Sequence, residues 1–511
     1  MRNWLIAVLL ALWSGHATLR VAASPAADEF AAIDAHALAA PTSVANSVPA
    51  LAAYLTKPAR DEREMARAIF RWITHYVAYD LSAEGYSFNP NLVLSRRRAV
   101  CAGYAVLFEA LAEAAGMKAE IVCGNSKKFK PGATEAAGDW VNHCWNAVQI
   151  DGQWRLVDCC WGAGHCDEGG QFVRSFSPHY FLTASEVFVF DHFPSDPRWQ
   201  LLDPPISKGE YLQRAQVRPP FFDCRLRLVS HRSARIDAGS SLAVVIGAPP
   251  ETFMMASLYR DGREMEEHYT FAQRCAQGFV ILALFPSQGD YVLRVFARRG
   301  DATDGDYAWA LDYAVRARSG EQGGAGFPEV YGSFLAHNCQ LERPLSRALP
   351  AGKTAELALT VPNATDVVVV TGGSWKHLSA QGSRFTGEAP VSPGDVVIFA
   401  RFGGQSAYEG LLRYTGEKGA PAAESVYHDL IGMPSPVRPV GDCCADALFA
   451  SSAPSIAPDL PPVVDQDPFA EPADANTFLT KYCAAVFGSR SDLFPQSEGA
   501  VLAGCAGLIG P

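Results

Sequence analysis

His143-Cys-Trp-Asn-Ala-Val-Gln-Ile-Asp-Gly-Gln-Trp-Arg-Leu-Val-Asp158 decides how the first part of this chain folds. Asp151-Gly152 is a two-residue turn signal, because both central positions of such a turn need positive φ. It predicts a hairpin of strands Trp145–Ile150 and Gln153–Asp158. A two-residue turn also fixes register, so residue 150 faces 153 and the pairing runs outward from there. On that register Asp158 lies opposite Trp145 and His143 opposite Cys160, which puts His143 and Asp158 on one face as diagonal neighbours. Cys144 falls opposite Cys159 on the other face, as a cross-strand disulfide or as two small buried hydrophobes. Cys160 shares the face of His143.

Upstream, Glu62 to Tyr79 has helical periodicity, with Ile69, Phe70, Ile73 and Val77 on one stripe and Arg63, Arg67 and Arg71 off it. A second helix is expected from Cys101 to Ala115, stopped by Gly116. Ala119–Cys123 reads as a strand and 124–140 as a polar loop. Residues 161–215 read as loops and aromatics.

Cys101 stands where loop becomes helix, after Ser95-Arg-Arg-Arg98. Unpaired N–H groups and the helix dipole there favour the thiolate, which is the nucleophilic form. An aspartate beside a histidine accepts from one ring nitrogen and turns the other toward a thiol. Cys101, His143 and Asp158 are therefore the candidate catalytic residues. Taken singly, each has a structural alternative: a disulfide or buried cysteine, a hydrogen-bonded core histidine, a solvated hairpin carboxylate. A Cys101–Cys160 bridge would be an inhibitory oxidised state. Cys159, Cys160, His165 and Cys166 cluster in sequence, but their spacing is poor for zinc. Phosphate-loop and dinucleotide fingerprints were not found. No metal and no cofactor is expected.

The 511 residues correspond to about three domains. A net charge of −11 without long Lys/Arg runs argues against nucleic-acid partners. Arg2, the apolar run Trp4–Trp13 and the small residues after it form the pattern of a signal peptide over 1–23. With that removed, no membrane span is expected. The 13 cysteines agree with an oxidising compartment, so the expected location is secreted or in the secretory-pathway lumen. Residues 24–60, rich in Ala, Pro and Ser, read as a lead-in or pro-segment, and 61–215 as the catalytic domain.

From about residue 219 the texture changes to short alternating strands. Arg235-Ile-Asp-Ala-Gly-Ser-Ser-Leu resembles Arg347-Ala-Leu-Pro-Ala-Gly-Lys-Thr, and Gly289-Asp-Tyr-Val-Leu-Arg-Val resembles Gly394-Asp-Val-Val-Ile-Phe-Ala. This predicts two copies of a β-sandwich, at 219–318 and 325–418. Residues 420–475 read as a Pro/Ala/Asp-rich linker and 476–511 as a short tail with Cys483 and Cys505.

In combination these segments resemble the transglutaminase-like superfamily, and within it the kyphoscoliosis peptidase branch. Ala68–Asp80 is similar to the opening helix of that family, Arg98–Phe108 to its nucleophile helix, and His143–Asp158 to its histidine and aspartate strands. Asp191-His-Phe-Pro194 and Trp199-Gln-Leu-Leu202 are similar to the closing segment of the branch. The resemblance implies an α+β chain: a papain-like transglutaminase core followed by two all-β, Ig-like modules. It makes Cys101 the nucleophile, His143 the general base and Asp158 its orienter, with the Cys101 N–H as one oxyanion donor.

The expected activity is attack on protein amide bonds through a thioester, as a peptidase or amidase. The alternatives are a crosslinking transglutaminase and a non-catalytic interaction scaffold. No calcium loop of recognisable spacing was found, which favours hydrolysis. The expected partner is a protein substrate or ligand. The sequence does not set oligomeric state.

Overall fold

The computed structural model describes residues 29–127, 140–167, 170–300, 307–321 and 325–420. The expected signal peptide, tail and all of the linker beyond residue 420 lie outside the described residues, as does most of the expected 124–140 loop.

The first layer is helical. Helices α1 (Ala31–Leu38) and α2 (Val48–Thr56) precede α3 (Glu62–Tyr76), α4 (Pro90–Arg96) and α5 (Cys101–Ala114). Asp61 caps α3 by accepting from the Glu64 N–H at 2.8 Å. The start of α5 is held by a short parallel bridge of 78–79 with 98–99 and by the Ser87 hydroxyl, which accepts from Val100 N–H at 3.1 Å. Ile33, Ala37, Leu51 and Leu55 of α1 and α2 are buried in one core with Phe70, Ile73, Tyr104 and Phe108. From α1 onward, the expected lead-in is thus part of the core. Its apolar residues were obscured in sequence by the surrounding Ala and Pro.

The second layer is an antiparallel sheet of β1 (Ala119–Ser126), β2 (His143–Ile150), β3 (Gln153–Val157), β4 (Phe181–Thr183) and β5 (His192–Pro194). Their order across the sheet is β4-β3-β2-β1-β5. The β2–β3 turn has φ of 50° at Asp151 and 76° at Gly152, as the turn type requires. Buried Asn146 on β2 donates to Ala105 O at 3.0 Å and ties the sheet to α5.

Two sandwiches follow with the same strand connectivity. In the first, a sheet built on 308–317, 289–299 and 252–260 faces one built on 241–247, 278–284 and 270–275. The second repeats this with 409–417, 394–402 and 364–371 against 354–360, 384–390 and 379–381. In each, a short strand (235–238 or 348–350) pairs parallel to the last long strand. The repeat seen in sequence therefore marks equivalent strands.

Candidate active site

Cys101 is the first residue of α5, and no side chain caps that helix at Val100. The first N–H groups of a helix have no i−4 partner within it, and the thiol sits beside them at the positive end of the dipole. Cys101 is buried and not in a disulfide.

His143 is the first residue of β2. Its Nε2 lies 2.7 Å from Asp158 Oδ2, and Cys101 is near enough to raise the pKa of its ring. With Nε2 engaged by the carboxylate, Nδ1 is the nitrogen left for the thiol. Burial alone would lower the pKa of His143. The attraction and hydrogen bond of Asp158 outweigh it, Cys101 adds to them, and the ring is pushed up to about 10.

Asp158 reaches its position in a way the hairpin register did not foresee. The register holds from Ile150↔Gln153 to Asn146↔Val157 and then stops. Asp158 leaves the strand and becomes the N-cap of helix α6 (Cys159–Ala163), where Oδ1 accepts from the N–H groups of Cys160 at 2.8 Å and Trp161 at 3.0 Å. Strand alternation ends there, so His143 does not face Cys160 and Cys144 does not face Cys159. Cys144 pairs instead with Cys123 on β1, and the two form a disulfide. Cys159 and Cys160 are free, buried helix residues. Gly162 lets α6 approach α3: a Cβ there would meet the Phe70 ring at 2.6 Å.

One residue of the site was not assigned a role from sequence. His192 opens β5, and its Nε2 lies 3.1 Å from the same Asp158 Oδ2 that binds His143. Its Nδ1 lies 2.6 Å from Asp191 Oδ1. β1 runs between β2 and β5, and Gly124 on β1 faces both His143 and Pro194. A Cβ at Gly124 would lie 2.1 Å from Phe193 O, so only glycine permits that approach. The Asp191-His192 pair was visible as a motif, but nothing local showed that it would fold back onto Asp158.

His143, Asp158 and His192 present nitrogens and an oxygen within 4.8 Å of one another, the donor types of a metal site. Their 2.7 and 3.1 Å separations are hydrogen-bond distances. The arrangement is a hydrogen-bonded chain in which the carboxylate joins two imidazoles.

Residues 49–159 match the family model of the transglutaminase-like superfamily, and residues 208–324 that of the KY-like, immunoglobulin-like domain. The chain carries a transglutaminase-like core joined to a KY-like module. It is 27% identical to mouse kyphoscoliosis peptidase over 343 residues, covering 66% of this chain and 48% of that protein. To the human protein of the same name it is 29% identical over 276 residues, covering 53% and 40%. To the Caenorhabditis elegans Lim and transglutaminase domain protein ltd-1 it is 31% identical over 243 residues, covering 44% and 33%. The chain spans less than half the length of each of these relatives. Within the transglutaminase-like core, the matched segment contains Cys101, His143 and Asp158 and ends before His192.

Proposed function

We propose that this protein is a cysteine-nucleophile enzyme that acts on protein amide bonds through a thioester. The observation that carries the reading is the 2.7 Å pairing of buried His143 with Asp158, beside a buried, unbridged Cys101 at the start of α5 that acts on the His143 ring. In the first half-reaction the Cys101 thiolate attacks the amide carbonyl, and the tetrahedral oxyanion forms beside the N-terminal N–H groups of α5. The His143 imidazolium then protonates the departing amine, leaving a thioester. In the second half-reaction neutral His143 takes a proton from water, and the resulting hydroxide adds to the thioester carbonyl. The C–S bond then breaks to release the acid product and restore the Cys101 thiolate and His143 imidazolium. Asp158 holds the ring through both steps with its orientation fixed.

Hydrolysis is preferred to amine transfer because no calcium-loop spacing was found in the sequence. The first relatives' printed name, a peptidase, agrees with it. The proposed location is the secretory pathway, supported by the N-terminal sequence pattern and by the Cys123–Cys144 disulfide.

The test is iodoacetamide labelling of the non-reduced protein from pH 5 to 9 with peptide mapping. Cys101 should label ahead of the other free cysteines, and His143→Ala should remove that preference. Unfolded protein chains with and without a primary-amine probe then separate cleavage from amine incorporation. Labelling of Cys101 no faster than Cys275, which is half-buried, would end the enzyme reading.

A further inference from the structure

Both ring nitrogens of His192 face carboxylate oxygens: Nδ1 toward Asp191 at 2.6 Å and Nε2 toward Asp158 at 3.1 Å. A neutral imidazole has one N–H, so it can satisfy only one of two carboxylates. The surroundings favour a cation. Phe188 stacks on the ring at 4.1 Å, and Trp161 and Trp145 lie at 4.6 and 5.0 Å. Aromatic faces attract a desolvated cation, and His192, Asp191 and Asp158 are all buried.

Asp158 is equally constrained. Oδ1 accepts two backbone N–H groups and Oδ2 two imidazole nitrogens, which accounts for the acceptor capacity of a carboxylate. Its negative charge is shared between His143 and His192, whose rings are 5.4 Å apart.

We infer that His192 is a fixed imidazolium and a positioning residue, which holds Asp158 in place and limits how strongly Asp158 retains the proton on His143. The inference rests on the proposed catalytic reading for its role in turnover, but the charge state of His192 stands apart from it. The consequence is specific. A base bonded to a lone buried carboxylate keeps its proton; a second cation on that carboxylate weakens the hold, so His143 can give its proton to a leaving amine.

Other ionisable groups face this site. Tyr180, from the segment before β4, lies 3.5 Å from Asp191 Oδ2. His179 precedes it and has its pKa lowered by burial first and by His192 among the lesser causes. Arg218 bears on Tyr180 from the first sandwich, and Asp158 and Cys101 both act on Cys160. Burial opposes charge on His192, but Asp191 and Asp158 together raise its pKa.

The experiment is ¹⁵N-histidine NMR on the full chain carrying Cys101→Ala, so that no thiolate acts on His143. His192 should show two ring N–H signals from pH 6 to 9. Asp191→Asn, which keeps the ring and its contact with Asp158, should remove one of them and raise the titration midpoint of His143. His192→Gln should raise that midpoint by half a unit or more. A single N–H on His192 at pH 7 would overturn the inference. So would an unmoved His143 midpoint in Asp191→Asn, which leaves His192 only a structural part; that variant decides the question if His192→Gln does not fold. None of these readouts uses Cys101 chemistry, so an unreactive Cys101 in the native protein would count against the enzyme reading alone.

Discussion

Cys144 is covalently joined to Cys123 across β1 and β2, one residue from His143. The bond pins the end of β2 that carries His143, and it spans a segment that includes residues 128–139. A non-reduced digest should recover these two cysteines in one linked peptide pair. A closed loop of this length stabilises a fold by about 3 kcal/mol through the unfolded chain. Cys123→Ser with Cys144→Ser should therefore lower urea stability by about that amount. A digest pairing Cys144 with Cys159 would restore the simple hairpin reading and move Asp158 away from its cap.

Asp158→Ala removes an acceptor from two imidazoles and from the first turn of α6. Two buried rings lose their common counter-ion, at a cost of about 3–5 kcal/mol, and the lost cap adds about 1 kcal/mol. Asp158→Asn keeps the cap oxygen and should retain most of the cap contribution. Urea unfolding of the pair separates the two effects. Equal losses would mean that the charge, and not the cap, is what Asp158 supplies to stability.

The pH dependence of stability has a definite sign. The folded pKa of His143 is raised to about 10, against ~6.5 in an unfolded chain. Its contribution is therefore complete below pH ~6.5 and is lost as pH rises toward 10. Asp158 is shifted the other way: burial opposes ionisation, but His143 and His192 hold its pKa well below the usual carboxylate range. Its contribution is complete above pH ~4 and is lost as pH falls below that. The thermal deficit of His143→Gln should be widest between pH ~4 and ~6.5 and shrink by pH 10. A deficit constant from pH 5 to 10 would contradict the ion pair.

What was legible in the sequence was what local rules govern. The α3 stripe, the helix beginning at Cys101 and the Asp151-Gly152 turn depend on near neighbours, and each element lies within a few residues of its expected place. The sandwich repeat was legible because the same strand pattern occurs twice. Two things were not. Asp158 is a better helix cap than strand residue once Cys160 and Trp161 turn into α6, and turn register carries no information about where pairing stops. His192 reaches the site only because β5 adds to the far edge of β1, a long-range pairing that depends on the bare backbone at Gly124.

Gly124 supplies a test of that pairing. An added methyl would lie 2.1 Å from Phe193 O, backbone that cannot rotate away. Gly124→Ala should cost about 1–3 kcal/mol and, by displacing β5, should change the His192 ring signals as well. A variant of native stability with unchanged signals would mean that β5 is held by other contacts.

Residues 24–60 read in sequence as a lead-in or pro-segment, and the packing of 31–56 argues against a removable pro-segment. Arg67 on α3 donates to both carboxylate oxygens of Asp34 on α1 at 2.7 Å, and Arg67 is only 3% exposed. Arg71 lies 3.7 Å from the same carboxylate. Phe30 packs edge-on against Phe181 of β4, with the Arg67 guanidinium over its ring. Deleting everything before residue 60 would strip Asp34 from a buried arginine, a loss of about 3–5 kcal/mol, and would expose one side of the α3–α5 core. Such a truncated chain should be insoluble or unfolded by circular dichroism and should show no selective Cys101 labelling. Asp34→Asn, which keeps the apolar contacts, should fold with reduced urea stability. A soluble truncated chain with faster Cys101 labelling than the full one would instead make this segment an inhibitory pro-region.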